Sequence, residues 1–299
     1  MSDRKKENSG FHPVYMAELL FKDLPQLKEE RLMEVMKRLT GKARVMKRPV
    51  NKDAANKVQN QAEVTDKEQE LLVIMHMEHM VNFEDGTVPA QTCILPVHKI
   101  QDKNRFKGAV EQSWHWKEAN DVTGTCQYQI RIHDMFTAAL PHKERLKLFQ
   151  QALLAILEVT PCEAIYFYGS DKLVKPSAYI KAIEDGDHLY GAMNVRLYQA
   201  GGSAARRELV MDTVGLSSLG VPDFQCHFAG MDPDVVARTL YGAAYYIFDQ
   251  GDVIQDGQLL GSSGEHRWRC EHQESLVSPQ RYVIDLDPGA PYYAGNILS

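Results

Sequence analysis

The chain has 299 residues, 44% hydrophobic and 25% charged, which is ordinary for a globular protein and long enough for one large domain or two average ones. Its formal net charge of −6 argues against a dedicated nucleic-acid binder, whose footprint is basic. No stretch approaches the roughly 18 apolar residues that span a bilayer, and Met1-Ser-Asp-Arg-Lys-Lys-Glu-Asn8 has no apolar run of the secretory kind, so neither a membrane span nor an export signal is expected.

Val14 to Phe21 reads as a first strand. A helix follows from about Pro25, with Asp23 as N-cap, Pro25 near N1, an apolar face of Leu32, Val35, Met36 and Leu39, and Gly41 as its stop. Residues 48–68 are polar and aperiodic and read as an excursion between elements. Glu70 to Met77 is a dense apolar run, suited to a central strand buried on both faces. Asp85-Gly86, between Val81–Phe83 and Thr87–Leu95, predicts a tight hairpin. Cys126, Tyr128, Ile130 and Ile132 alternate with Gln127, Gln129, Arg131 and His133, the period of a half-buried strand. Leu146, Phe149, Leu153 and Ile156 recur at helical spacing over 142–159, and Pro161 ends that helix. Ala164–Tyr168 returns as a strand, and Pro176 opens a short helix through Ile183.

From about Gly186 the pattern starts again. Leu189, Met193, Val195 and Leu197 form one strand face, and Tyr190, Asn194, Arg196 and Tyr198 the other. The small-residue loop Ala200–Ala205 leads to a strand over Arg207–Asp212, and Phe224, Cys226 and Phe228 alternate with Gln225 and His227. Asp232-Pro233 sets a cap and an N1 proline for a helix carrying Val236, Leu240, Ala244 and Ile247 to a stop before Gly251. Asp256-Gly257 predicts another hairpin, and Arg281–Leu286 a last strand. The order implies an α+β fold of mainly antiparallel sheets with helices packed on one face, two ferredoxin-like lobes being one form of it. The corresponding division is a flexible N-terminus (1–13), lobes over 14–185 and 186–287, and a tail (288–299).

Charge is uneven along the chain. Residues 1–60 hold 14 Lys/Arg against 8 Asp/Glu, so the remainder carries a net −12. The run Lys42–Arg48 suits an acidic partner or RNA, or else a solvated surface or mobile segment. Five cysteines (93, 126, 162, 226, 270) are scattered without a C-x-x-C pair and are expected to be reduced.

Several constellations could carry function. Trp114 and Trp116 in Gln112-Ser-Trp-His-Trp116 are either a recognition surface or a core anchor. Gly169-Ser170-Asp171 after a strand, with His133 and Asp134, invites a nucleophile reading, but the Gly-x-Ser-x-Gly elbow is absent and a turn accounts for these residues. His266, Cys270 and His272, and His76 with His79, supply zinc-type donors at spacings that match no standard site, so no metal is expected. Arg196, Asp212, Gln225 and His227 fall on strands that can share a sheet face, where they would hold a polar ligand, a partner side chain or one another. No phosphate loop, dinucleotide fingerprint or calcium loop is present, and no cofactor is expected.

The stretch Met211-Asp-Thr-Val-Gly-Leu-Ser-Ser-Leu-Gly-Val-Pro-Asp-Phe-Gln-Cys-His-Phe228 resembles a bacterial family known as domain of unknown function four-two-six-one. In the same order along the chain, Asp85–Gln91, Gln112–Trp116, the strand ending at Asp134, Lys143–Phe149, Thr160–Ala164 and Ser170–Pro176 resemble it too, so the likeness runs over about residues 15–287. The resemblance implies no catalytic residue. Together these readings point to a cytoplasmic bacterial binding protein with a protein partner, such as a toxin-neutralising immunity protein or a secretion-system accessory factor. A hydrolase using His227 and Asp212, or a small-ligand sensor, are the alternatives. The sequence leaves the oligomeric state open.

Overall fold

The computed structural model describes residues 14–49, 70–84, 86–203, 206–261 and 267–295. The N-terminus (1–13), most of the polar stretch 48–68, Asp85 of the expected hairpin, Ala204, Ala205, His266 and residues 296–299 of the tail lie outside them. The chain divides into two compact units between Ala192 and Met193.

The N-terminal unit is built on one sheet. Its strands are β1 (Met16–Phe21), β2 (Ala43–Pro49), β3 (Glu70–Phe83), β4 (Gly86–Ile94), β5 (His98–Lys99), β6 (Tyr128–Met135), β7 (Ala164–Phe167) and β8 (Lys172–Val174). They run in the order β2-β3-β4-β6-β1-β7-β8, with β5 also on β6, and every pairing is antiparallel. Helix α1 (Glu29–Thr40) follows β1, and α4 (His142–Val159) joins β6 to β7. The central order β4-β6-β1-β7 with those two helices packed together is a ferredoxin-like core, extended by the β2–β3 hairpin. Leu146, Phe149, Leu153 and Ile156 of α4 are buried, and the Phe149 ring meets Tyr15 edge-on at 4.6 Å.

Three expectations change here. Helix α1 starts at Glu29, not near Pro25, and Asp23 does not cap it; Glu29 and Glu30 supply the first-turn acids that favour the positive end of the helix dipole. The long strand β3 runs on to Phe83, and within it Leu72, Val73, Ile74, His76 and Val81 are buried while Leu71, Met75 and Met77 are only partly so. Helices are not confined to one face. On β1, Leu20 points opposite to Leu19, and it joins an apolar cluster with Phe106, Ala109, Trp116, Ala119 and Cys126, contributed by α2 (Lys107–Glu111), α3 (Ala119–Thr125) and their flanks. Short polar-looking segments had concealed these two helices. Helix α5 (Pro176–Glu184) completes the unit, with proline at its first turn.

The C-terminal unit has a second sheet, ordered β12-β13-β14-β11-β10-β9. Its strands are β9 (Asn194–Ser203), β10 (Arg206–Val214), β11 (Asp223–Ala229), β12 (Leu259–Leu260), β13 (Trp268–Glu274) and β14 (Tyr282–Asp287). Helix α6 (Pro233–Gln250) packs against β9, β10 and β11, and its N-cap is Asp232, whose side chain accepts from the Asp234 amide at 3.0 Å. Val236, Leu240, Ala244 and Ile247 are buried as their spacing requires. This sheet is not ferredoxin-like. Strand β14 lies parallel to β11, and parallel neighbours need a long crossover, which α6 and the β12–β13 ladder supply. Strand β9 begins at Asn194, not Leu189, because residues 187–192 form a turn in which Leu189 and Ala192 are buried. Asp256-Gly257 is a turn ahead of β12 and does not join two paired strands; Asp256 instead accepts from the His272 amide at 2.8 Å. Gly202 does need to be glycine: its φ is +86°, and a Cβ there would sit 2.2 Å from the Arg206 carbonyl oxygen.

Candidate functional site

Register in the second sheet places Arg196, Asp212, Gln225, Asp285 and Glu271 opposite one another on five neighbouring strands. Directly paired residues share a face, so this is one polar row. Arg196 grips Asp212 with two parallel hydrogen bonds, Nε to Oδ1 at 3.0 Å and Nη2 to Oδ2 at 2.6 Å. Arg281 donates to the same Asp212 oxygen at 2.6 Å, to Asp223 at 3.2 Å and to the Thr213 carbonyl at 2.6 Å. Asp223 in turn accepts from the Leu216 and Ser217 amides and from Thr213 Oγ1. That carboxylate ties down the turn Gly215–Gly220, and so accounts for the cadence of Met211–Phe228 in the sequence. Burial pushes its pKa up, while Arg281 and the Leu216 amide pull it down.

The segment Ser275–Arg281 returns over this row. Ser278 accepts from Arg196 at 2.9 Å, and the Leu276 amide donates to Gln225 Oε1 at 2.9 Å. Gln225 Nε2 donates to Asp285, whose pKa burial raises to about 6. Arg196, Asp212, Asp223, Gln225 and Arg281 are all buried, and two guanidinium charges face two carboxylates. Chemically this is an internal brace, with its charges paired and its geometry fixed. His227 stands apart from it. It pairs with Val210, its Nε2 lies 3.8 Å from Glu208, no hydrogen bond links it to Asp212, and burial lowers its pKa.

A concave site lies elsewhere in the same unit. A groove of about 630 Å³ runs beside α6, lined by Arg238, Thr239, Gly242 and Tyr246 on the helix and by Leu260 and Trp268 on β12 and β13. Gly242 is an unusual choice for the middle of an 18-residue helix, where glycine costs roughly 1 kcal/mol relative to alanine. A Cβ added there would meet nothing within 4 Å, so packing does not demand the glycine. Its bare backbone leaves that part of the groove lining open. Tyr241 and Tyr246 are exposed on the same helix, and Asp232, Asp234, Asp249 and Asp252 are exposed at or just beyond its two ends.

Residues 212–287, which hold most of the brace and the groove, match a family model. That model is Domain of unknown function (DUF4261). No curated protein and no solved structure matches the chain. The match does not extend to the segments between Asp85 and Pro176, where a likeness to the family was expected.

Ahead of the DUF4261 segment, the two tryptophans part company. Trp116 is buried in the core beside Leu20 and Phe106 and offers no recognition surface, whereas Trp114 is 68% exposed. Ser170 is buried and donates to the Gly191 carbonyl, while Asp134 is held by Tyr15, Thr137 and Arg145, so no nucleophilic triad forms. His76 is buried between Thr40 and Thr92, and His79 pairs with Glu144. Among the described residues no group of three metal-binding side chains converges, and all five cysteines are free.

One polar cluster escaped sequence reasoning. Glu18, fully buried in β1, accepts from Arg105, from Arg131 Nε at 2.5 Å and from Tyr168 Oη at 2.6 Å. Arg105 also donates to Gln129 at 2.6 Å. The available signal was a lone carboxylate inside the apolar run Met16–Phe21, opposite the polar face of β6 that holds Gln129 and Arg131.

Within the DUF4261 segment, His272 forms a latch. Its Nδ1 is 2.6 Å from Asp256, its Nε2 is 3.9 Å from Asp252, and its ring stacks on Tyr282. Asp252 raises its pKa, with Asp256 adding to that and burial opposing it; at 3.9 Å the Asp252 contact is charge attraction, not a hydrogen bond. A raised histidine pKa gives stability that is fully present below the unfolded value of about 6.5 and is lost as pH rises through the higher folded value. The His272 ring should therefore titrate above its ordinary range in an NMR experiment, and Asp252→Asn should lower its midpoint. A wild-type midpoint at or below the ordinary value would refute the latch.

Proposed function

We propose that the protein is a binding protein whose docking surface is the groove beside α6, and that its partner is a protein with a basic face. The observation that carries this reading is Gly242, a helix-interior glycine that packing does not require, lining a groove beside the exposed Tyr246 and Arg238. Tyrosine, tryptophan and arginine are the residue types that dominate binding energy at protein interfaces. The exposed acids at the two ends of α6 suit a basic partner by steering its approach, as does the net −5 of residues 249–299, eight Asp/Glu against three Lys/Arg. We place the protein in the bacterial cytoplasm, the family resemblance suggesting a bacterial source and the scattered cysteines a reducing compartment, and take a toxin-neutralising immunity protein or a secretion-system accessory factor as the specific role. The internal pairing of Asp212, and its separation from His227, weigh against hydrolysis through those two residues.

Gly242 also supplies the test. Gly242→Ala should stabilise the helix by up to about 1 kcal/mol, because the added methyl enters open space. Gly242→Arg should leave the fold intact and fill the groove. Affinity capture from native lysate at low salt should recover a basic protein with the wild type and with His227→Ala, and lose it with Gly242→Arg or at roughly 0.5 M salt, where exposed charges are screened within a few ångströms. Capture that is indifferent to Gly242→Arg would overturn the groove reading. Substrate turnover abolished by His227→Ala or Asp212→Ala would move the assignment to an enzyme.

A further inference from the structure

Arg238 lines the groove beside α6 from an exposed position, and its charge is unspent. No described residue hydrogen-bonds to that guanidinium or pairs with it, not even Asp234 one turn ahead on the helix. A guanidinium is a planar fork of donors that matches a carboxylate. The lining beside it is apolar, with Val235, Ala243 and Leu260 and the open space over Gly242. At about 1.5 Å of rise per residue, Arg238, Gly242 and Tyr246 follow one another at about 6 Å along one face of the helix. Across the groove stands the short strand β12, last in its sheet and, among the described residues, paired on one side only. Leu260 pairs with Trp268 and both line the groove, so side chains on that face of the sheet edge turn towards α6. A chain laid along the groove in extended form repeats its side chains on one face about every 6.7 Å, close to the spacing of the three α6 positions. A helical segment matches the same rise with every fourth residue. The unpaired edge of β12 decides for the extended form, which alone can use free backbone groups.

We infer that the partner enters the groove as an extended segment that presents three alternate side chains: a carboxylate to Arg238, a large apolar group to the space over Gly242, and a Lys or Arg to the Tyr246 ring. This deepens the docking reading and rests on it. The carboxylate finds the one cation of the groove lining. The apolar group covers Val235 and Ala243 where Gly242 leaves room. The cation lies on an exposed ring one turn from the exposed Asp249, so both the ring face and the acid attract it. Arg238 repels a segment that is basic throughout. A single acidic residue, two positions from an apolar one, therefore sets the register in which a basic partner docks.

The experiment is fluorescence anisotropy of labelled peptides on the full-length protein at low salt. The probe is Lys-Lys-Thr-Glu-Thr-Leu-Thr-Lys-Lys, and its reversed sequence covers the other chain direction. One of the two should bind roughly tenfold tighter than versions of the same composition with Glu and Leu adjacent, or separated by three residues as a helix would need. Arg238→Glu, checked for an unchanged thermal midpoint, should weaken the probe by roughly three- to tenfold and bind in its place the peptide with Lys for Glu. A variant that had merely misfolded would show no such exchange. Gly242→Arg should abolish binding of both peptides. No binding by either direction of the probe, binding indifferent to the Glu–Leu spacing or tightest at the helical one, or an Arg238→Glu protein that binds the probe as the wild type does, would overturn the inference. If lysate capture is still lost with Gly242→Arg in those cases, the groove remains the docking surface and the extended segment alone falls; capture indifferent to Gly242→Arg removes both.

Discussion

Asp212→Ala should destabilise the C-terminal unit by about 3–5 kcal/mol, the range seen when one partner of a buried charge pair is deleted. The carboxylate is fully buried and receives three guanidinium hydrogen bonds, two from Arg196 and one from Arg281. Its loss takes the carboxylate from the buried Arg196 charge, which keeps the Ser278 carbonyl, and leaves Arg281 with Asp223 as its carboxylate. Asp212→Asn keeps the acceptor oxygen and should cost less. Trp268, buried in β13, is the one tryptophan of this unit and reports its unfolding in urea separately from Trp114 and Trp116. A loss below about 1 kcal/mol for the alanine variant would mean that the brace is slack.

The second large effect belongs to the N-terminal unit. Asp134→Ala should also cost about 3–5 kcal/mol, because this buried carboxylate accepts from the Tyr15 amide at 2.6 Å, from Thr137 Oγ1 at 2.5 Å and from Arg145 Nε at 2.5 Å. It thereby joins the entry to β1, the end of β6 and the first turn of α4 around one charge. Unfolding followed through Trp116 should report the loss, and Arg145→Lys, which keeps the charge but not the fork, should fall between the two. An Asp134→Ala protein as stable as the wild type would show that these three elements hold together without the carboxylate.

Local signals were the ones the sequence made legible. The helices His142–Val159 and Pro233–Gln250 follow from their 3.6-residue periods and, for the second, from Asp232-Pro233, because period and cap are written within a few residues. The ferredoxin-like core of the N-terminal unit follows from the strand–helix order. The parallel β11–β14 pair does not, since pairing across α6 is settled by which edge the returning strand finds. The polar set was legible in part. Alternation put Arg196, Asp212, Gln225 and His227 on strands that can share a face, and register then set His227 opposite Val210, one pair along from Asp212 and Gln225. Arg281 and Asp223, which turn the set into an interior brace, come from distant points of the chain, and no local pattern announces them. Trp114 and Trp116 show the same limit: two positions apart, one is solvated and the other packed, because burial depends on what α3 and β7 bring against them.

The reading of this protein as a binder stands on the groove beside α6, and a hydrogen-exchange footprint of the captured complex tests it most directly. With partner bound, amides of residues 235–246 in α6 and of β12 and the start of β13 should exchange more slowly than in the free protein, and Gly242→Arg should abolish that protection. Protection that leaves α6 unchanged and falls instead around His227 and Glu208 would contradict it.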